Sequence, residues 1–479
     1  MTACEPATAY RQAEHHRFAV GASEFLYLVP SGAVFTLDGL SKEIFESLAA
    51  NSRERRELIG ALSTRGHAVS DVEASINEMH YYDVLASGDV KPKFPAMPGG
   101  DFPLQRLVLN VTNQCNLSCG YCYEYSEDKI AITKDKPKHM TDPVAQAAID
   151  MLFKESAGRP KLHMTFFGGE SLLNFELMQS AVAYADAKAA HERRFVDYSL
   201  TTNATLLTEE IADFLAEHKF GVTVSIDGDR ELHDRMRVFH NGKGSYDIIA
   251  PKIKMLLKRH RTNSIGARVT LSAGVSHVRR IFDHLTQEFG FDGVGFSPAT
   301  ANPDRLYHIG GEKMDDVLGQ FAELAYEYRD FALQNRHHRF TNISDTLKEL
   351  HSGVSKAYTC GAGLGMLGVG TSGDIGACHR FVDAPVAQMG NVMTHGLNRE
   401  ARREFLEQHH IGARPDCHTC WVRPVCAGGC YHESFIHHGS TQASLLKSCD
   451  RIRGWIDLCL HIYAEIGLVN PKFLERFND

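Results

Sequence analysis

No stretch of the 479-residue chain runs to the roughly 18 consecutive apolar residues that a membrane-spanning helix needs. Residues Met1 to His16 likewise hold no apolar core of the kind a secretory signal carries, so a cytoplasmic protein is expected. Nor is there a Lys/Arg stripe, and the net charge is −8. Affinity for phosphate backbones comes from clustered cations, so neither nucleic acid nor a membrane is an expected partner. Hydrophobic residues make up 43% of the chain and charged residues 23%, an ordinary balance for a chain that buries a core. At about 100–200 residues per domain there is room for two to four domains.

Cysteine is plentiful. Twelve in a chain of this class read as metal ligands, because a reducing cytosol does not keep disulfides. The densest group is Val111-Thr-Asn-Gln-Cys-Asn-Leu-Ser-Cys-Gly-Tyr-Cys-Tyr123, with thiols at Cys115, Cys119 and Cys122 directly after the apolar run Leu107 to Val111. A C-x3-C-x2-C loop can wrap three irons of a [4Fe–4S] cube and leave the fourth without a protein ligand. The alternative is a zinc knuckle or a closed structural cluster. Zinc usually takes two C-x2-C hooks or Cys with His, and closed clusters take four protein ligands.

From Gln105 to about Pro298, short apolar runs alternate with helical ones. Strands are expected at Arg106–Val111, Leu162–Phe167, Tyr198–Thr202, Val222–Ile226, Gly266–Leu271 and Gly293–Phe296, with helices between them. This β-then-α order predicts a parallel, partial (β/α)6 TIM-like barrel of α/β class, whose functional groups belong at the C-terminal strand ends. Polar motifs fall there: the cysteine loop, Gly168-Gly169-Glu170, Thr201-Thr202-Asn203, and Ser225-Ile-Asp227-Gly228 followed by His233-Asp234 and Arg237. Arg268, on the fifth strand, reads as a surface arginine ahead of the alternative that it points into the barrel, and it is assigned no role.

Before the barrel, Phe25-Leu-Tyr-Leu-Val29, a Pro30-Ser-Gly32 turn and Ala33–Leu37 predict a hairpin. Helices follow at Ser41–Asn51, Arg53–Arg65 and Asp71–Tyr82, the last capped by Ser70. The pattern suggests a small winged-helix-like domain without a basic recognition helix. After the barrel come Cys360 and Cys378, then Cys417-x2-Cys420-x5-Cys426-x3-Cys430, then Cys449. Seven thiols among glycines and turns form a cluster scaffold; a zinc ribbon of four would leave three over. The expected division is residues 1–90 for the N-terminal module, 91–104 as linker, 105–310 for the barrel, 311–359 as a helical bridge and 360–479 for the cysteine-rich extension. Cys4 and Cys459 read as ordinary residues.

The C-x3-C-x-aromatic-C run, with Tyr121 as the aromatic residue, resembles the signature of the radical S-adenosylmethionine (SAM) superfamily. The resemblance implies that Cys115, Cys119 and Cys122 hold a [4Fe–4S] cluster whose open iron chelates SAM, with reductive cleavage giving a 5′-deoxyadenosyl radical that takes a hydrogen atom from the substrate. By the same resemblance Tyr121, Gly168, Gly169, Glu170, Thr202, Asn203, Ser225 and Arg237 contact SAM. The C-terminal array resembles the SPASM extension of peptide-modifying members. It implies two auxiliary [4Fe–4S] clusters, one on Cys417, Cys420, Cys426 and Cys449, the other on Cys360, Cys378 and Cys430. Some relatives have a further cysteine between the positions of Cys360 and Cys378; this chain has none at residues 361–377. A substrate thiolate, Cys459 or water would then fill the fourth position.

The N-terminal pattern resembles the domains that bind the leader segment of a ribosomally made polypeptide, and an external one-electron reductant is the second implied partner. Across nearly the whole length the chain is similar to maturases of the quinohemoprotein amine dehydrogenase small subunit, which join Cys sulfur to an Asp or Glu methylene in thioether bonds. The other readings are a different SPASM modification, such as sulfatase-type Ser/Cys oxidation or peptide decarboxylation, and a non-catalytic cluster-bearing chaperone. Where sulfatase-maturing relatives place a basic Asp after the cysteine matching Cys378, this chain has His379. The catalytic base is therefore left unassigned, with His379, Glu124, Asp374 and Asp383 as candidates.

Overall fold

The computed structural model describes residues 9–87, 93–98 and 102–478. Cys4 and part of the expected linker, including Gly99 and Gly100, lie outside the described residues. The N-terminal module begins with β1 (Ala9–Gln12), β2 (His15–Val20), β3 (Ser23–Leu28) and β4 (Val34–Leu37). The hairpin is there, with Leu26 opposite Phe35 and Tyr27 opposite Val34. Side chains alternate across a strand, and here both faces are apolar. Leu26 and Leu28 enter a small core with Ile44, Phe45, Leu58, Leu62, Val72 and Ile76. Phe18, Phe25 and Tyr27 join the main core of the molecule. That second face docks the module: His16 stacks on Trp421 at 3.8 Å and reaches Asp457 at 2.6 Å.

Three helices follow, at Gly39–Glu46, Arg55–Ser63 and Val69–Tyr81, with β5 (Arg53–Glu54) and β6 (Leu85–Ser87) flanking β1. Asp38 caps the first helix by accepting from the Ser41 amide at 2.7 Å. The third starts at Val69 with Ala68 as its cap residue, so Ser70 lies inside its first turn rather than capping it.

Six strands form the barrel: β7 (Arg106–Thr112), β8 (Lys161–Gly168), β9 (Phe195–Thr202), β10 (Gly221–Ser225), β11 (Ile265–Leu271) and β12 (Gly293–Pro298). They are parallel and adjacent in chain order. All six were legible as apolar runs because the outward-facing residues, such as Leu107, Leu109, Leu162, Met164 and Phe166, are buried under the connecting helices. Those helices present Ala148, Ile149 and Leu152, or Ala181, Val182 and Ala185, to the sheet. The far edge is closed by a side chain: Asn342 accepts from the Phe296 amide and donates to its carbonyl, both at 2.9 Å.

The near edge continues into the C-terminal region, which the sequence did not reveal. Strand β13 (Met366–Val369) pairs in parallel with β7, and β14 (Asp374–Gly376), β15 (Gln388–Asn391) and β16 (Gly396–Leu397) extend the sheet antiparallel to ten strands. A long helix, Leu446–Val469, packs against Glu312–Leu333 and closes the assembly. Among the described residues, no helix is long and apolar enough to cross a membrane.

Candidate functional site: three groups of thiols at the barrel mouth

Strand β7 runs straight into the cysteine loop, and two neighbours shape that loop. On one side Ser118 donates to the Val238 carbonyl at 2.7 Å and Gly120 to Met236 at 3.1 Å, so the loop is zipped to the segment after β10. On the other lie Gly168 and Gly169 at the end of β8. A Cβ on Gly168, whose φ is +131°, would stand 2.4 Å from the Thr112 carbonyl oxygen, and one on Gly169 would stand 2.0 Å from that of Gln114. Only glycine admits so close a backbone approach.

Cys115, Cys119 and Cys122 face one another in this loop, each acting on another's ionisation. Burial, reinforced by the neighbouring thiols, pushes Cys115 up to about 11 and Cys122 up to about 12. Burial likewise raises Cys119, against the pull of Arg237. Desolvated thiols of this kind become thiolates where a metal supplies positive charge. Among the described residues no three His, Cys, Asp or Glu groups converge on a single ion. Three thiols in one loop are the donor set of an iron–sulfur cube, whereas zinc usually takes four protein ligands.

Glu170 is 1% exposed and binds the third strand end to the second. It accepts from Thr202 Oγ1 and from the Asn203 amide, both at 2.7 Å, and from Leu172 at 3.2 Å. Burial raises its pKa and these donors oppose the rise. Asn203 reaches the Cys115 sulfur at 3.8 Å and Asn116 at 3.0 Å, so the Gly-Gly-Glu and Thr-Thr-Asn segments brace the cysteine loop as one unit.

Beneath the loop is a buried charge pair in which Asp227 was not singled out by sequence reasoning. Asp227 is fully buried and accepts from the Tyr121 hydroxyl, from Arg237 Nε at 2.8 Å and from the Thr270 amide at 2.9 Å. Arg237 also lies over the Tyr121 ring at 5.4 Å. Burial works against its charge, but Asp227, then Tyr121 and Cys119, reverse this and raise its pKa. Tyr121 and Arg237 are thus tied to Asp227 directly under the thiols. The signal in the sequence is the Asp-Gly pair at the end of β10. His233, also passed over, accepts from the Asp227 amide at 3.3 Å and contacts Ser245 Oγ at 2.9 Å through its other ring nitrogen.

The eleven cysteines among the described residues are all free. Those beyond the barrel fall into two groups by mutual electrostatic influence. Cys360, Cys378 and Cys430 form one; Cys417, Cys420, Cys426 and Cys449 form the other. Arg414, fully buried, donates to the Gly428 carbonyl at 2.8 Å and the Thr441 carbonyl at 3.1 Å, which folds the second group's loop. Cys459 lies in the core with its thiol raised by burial, and no other cysteine acts on it.

Between the Cys115, Cys119 and Cys122 loop and the Cys360, Cys378 and Cys430 set stands an aromatic wall. The ring of Tyr123 is 6.2 Å from His379 and 5.7 Å from His432, and Phe167 is 4.5 Å from His379. Desolvation, with Arg380 adding to it, drives His379 down to about 3, so its ring is neutral at ordinary pH. Glu124, next to Cys122, is pushed up to about 7 by burial. Asp374 and Asp383 are both engaged by Lys136, at 2.7 and 2.6 Å. Arg268 alternates on β11 with the buried, outward Ala267 and Val269, so it faces the barrel lumen, the second of the two placements the sequence allowed, and it is exposed there.

Residues 109–271 match the model of the Radical SAM superfamily. The barrel is a radical SAM fold. The chain is 26% identical over 394 residues to a serine-type anaerobic sulfatase-maturating enzyme of Bacteroides thetaiotaomicron, covering 78% of this chain and 93% of that one. It is 26% identical over 371 residues to the radical SAM cyclopropyl synthase TigE of Paramaledivibacter caminithermalis, covering 72% of each. Among solved structures, native anSMEcpe with bound AdoMet and Kp18Cys peptide aligns with a TM-score of 0.61 at 20% identity, over 78% of this chain and 99% of that one.

Proposed function

We propose that this chain is a radical SAM enzyme that oxidises a side chain in a peptide or protein, with sulfatase-type oxidation of a Ser or Cys as its first reading. The observation that carries the reading is the three-thiol loop at the end of β7, braced by Glu170 and Asn203 and seated on the Tyr121–Asp227–Arg237 set. When bound there, a [4Fe–4S] cluster and SAM supply a 5′-deoxyadenosyl radical for hydrogen-atom abstraction. The chain's own residues shape the loop, hold Arg237 charged beside Cys119, and wall the mouth with aromatic rings that exclude water. Similarity over 78% of the chain to a sulfatase-maturating enzyme supports this substrate chemistry.

Thioether formation is the second reading, and two observations favour it. His379, a weakly basic neutral imidazole, stands where the sulfatase-type base is expected. The Cys360, Cys378 and Cys430 group has no fourth cysteine, which leaves room for a substrate sulfur. In both readings the seven C-terminal cysteines carry two auxiliary clusters that accept the surplus electron. The N-terminal module, with β4 and β6 at sheet edges, presents the leader segment by strand addition.

The test is anaerobic reconstitution with SAM, dithionite and Cys/Ser-containing polypeptides encoded beside the gene. Deoxyadenosine together with a hydrazide-reactive aldehyde establishes Ser/Cys oxidation. Loss of two hydrogens with loss of the free thiol and no aldehyde establishes the thioether. Absence of deoxyadenosine refutes both.

A further inference from the structure

The run of six parallel strands has β7 at one end and β12 at the other. Residues 299–311 lead from β12 to the helix Glu312–Leu333 without helix or strand, and a second connection, residues 113–141, leads from β7 to the helix Asp142–Glu155. One side chain ties the two connections together. Asp128 is 5% exposed and accepts from the Asn302 amide at 3.2 Å, from Arg305 Nε at 3.0 Å and from the Tyr307 hydroxyl at 2.8 Å. Its neighbours add to the tie: Arg305 Nη1 donates to Glu127 at 2.5 Å, and the Tyr307 hydroxyl meets Ser126 Oγ at 3.3 Å.

The connection after β12 also walls a cavity of about 990 Å³, in which Ala301, Pro303 and Ile309 meet Phe296 at the end of β12, Met314 and Trp455. A wall is permanent where apolar side chains anchor it, and here they do so only near the two ends. Ala301 and Ile309 are buried, whereas Leu306 at the tip is 99% exposed. Thr300 is fixed at the near end by Arg380 at 2.9 Å. Gly311 at the far end takes φ +54° and ψ −140°, a backbone state open to glycine. From outside the loop, the tip is otherwise held by the Ala273 amide, which donates to the Tyr307 carbonyl at 3.1 Å. Segments with few buried apolar contacts open locally at small cost, and loops pinned at both ends serve as lids.

We propose that residues 301–310 form a lid on this cavity and that Asp128 is its latch, so that the cavity opens to solvent when Arg305 and Tyr307 leave the Asp128 carboxylate. Because the cavity adjoins the C-terminal end of β12, the lid controls access from the side to the end of the barrel at which the cysteine loop stands. The latch does not depend on which side chain the enzyme modifies.

Trypsin reads the latch directly, since it cleaves after Arg305 only when that side chain is out of the carboxylate. The holoprotein is digested briefly, cleavage between Arg305 and Leu306 is followed by mass spectrometry, and hydroxyl-radical footprinting of the undigested protein follows oxidation of Met314, a cavity residue 6% exposed. Asp128→Asn is expected to raise both rates about tenfold, because a charge-assisted acceptor is lost. Tyr307→Phe, which removes a single donor, should raise them about threefold and serves as the test if the Asp128 variant does not fold. Asp304→Asn, at an exposed neighbouring carboxylate, should change neither. Unchanged rates in Asp128→Asn, or in Tyr307→Phe where it stands in, overturn the latch, and so does an equal effect of Asp304→Asn. Faster cleavage with Met314 still protected overturns the lid, because the loop then opens without uncovering the cavity. Hydrogen exchange that rises as much in β12 as in residues 301–310 overturns both, since the change is then a general loosening.

Discussion

Replacing Asp227 by Asn removes one charge from a pair whose side chains are 0% and 9% exposed. The amide oxygen can still accept from Thr270, but Arg237 stays charged in a dry site with no counter-ion. Breaking a buried ion pair from one side costs about 3–5 kcal/mol. The contact of Arg237 with the Tyr121 ring is common to both proteins and drops out of the difference. At about 2–4 °C per kcal/mol for a unit of barrel size, the melting point should fall by about 6–20 °C. The assay is far-UV circular dichroism of the cluster-free protein, which keeps iron out of the comparison. Arg237→Met strands the carboxylate instead and should cost a similar amount, while the double substitution should cost less than the sum because both charges leave together. A drop below about 2 °C for Asp227→Asn, or strict additivity in the double variant, would refute the assignment of this pair as the support of the loop.

Gly169→Ala places a methyl group on the Gln114 carbonyl and the Tyr125 hydroxyl, so the purified variant should lose the iron held by the first cysteine group, read by iron analysis, while keeping the sheet. Cys459→Ala should leave iron per chain unchanged, because that thiol is buried away from the others; a proportional loss of iron would make it a ligand. Burial lowers His233 to about 3 and His409 to about 4, so the unfolded chain takes up protons that the folded chain refuses. Their stabilising contribution is complete above about pH 6.5 and drains away as pH falls towards 3, each tenfold difference in proton affinity between the folded and unfolded chain being worth about 1.4 kcal/mol. The melting point should therefore fall from pH 7 to pH 5, and less steeply in His233→Asn; a flat profile would contradict the burial of both rings.

The sequence disclosed the barrel because each of its strands is buried on its outer face and each connecting helix is amphipathic, so periodicity and burial coincide. The cysteine groups were legible for a different reason, their spacing. What stayed hidden depends on contacts between distant residues. Asp227 looks like any Asp-Gly turn until Tyr121 and Arg237 converge on it. Arg268 looks like a surface arginine because Gly266 and Thr270, its partners on the inward face, give no apolar alternation. Strand β13 is four residues long, flanked by glycines, and adds to an edge that belongs to a strand some 260 residues earlier by residue number. Local pattern cannot report such a pairing.

That pairing matters for the chemistry. Because β13 pairs with β7, the segment carrying Cys378 hangs from the same sheet as the loop carrying Cys115, Cys119 and Cys122. Asn110, on β7, donates to the His379 carbonyl at 3.3 Å, so the barrel holds the residue next to Cys378 directly. The two thiol groups are therefore fixed in one framework, with Tyr123, His379 and His432 between them and Arg380 against the Tyr123 ring. Catalytic groups must be placed to within fractions of an ångström. A hinged extension would not hold them so, whereas a continuous hydrogen-bonded sheet does.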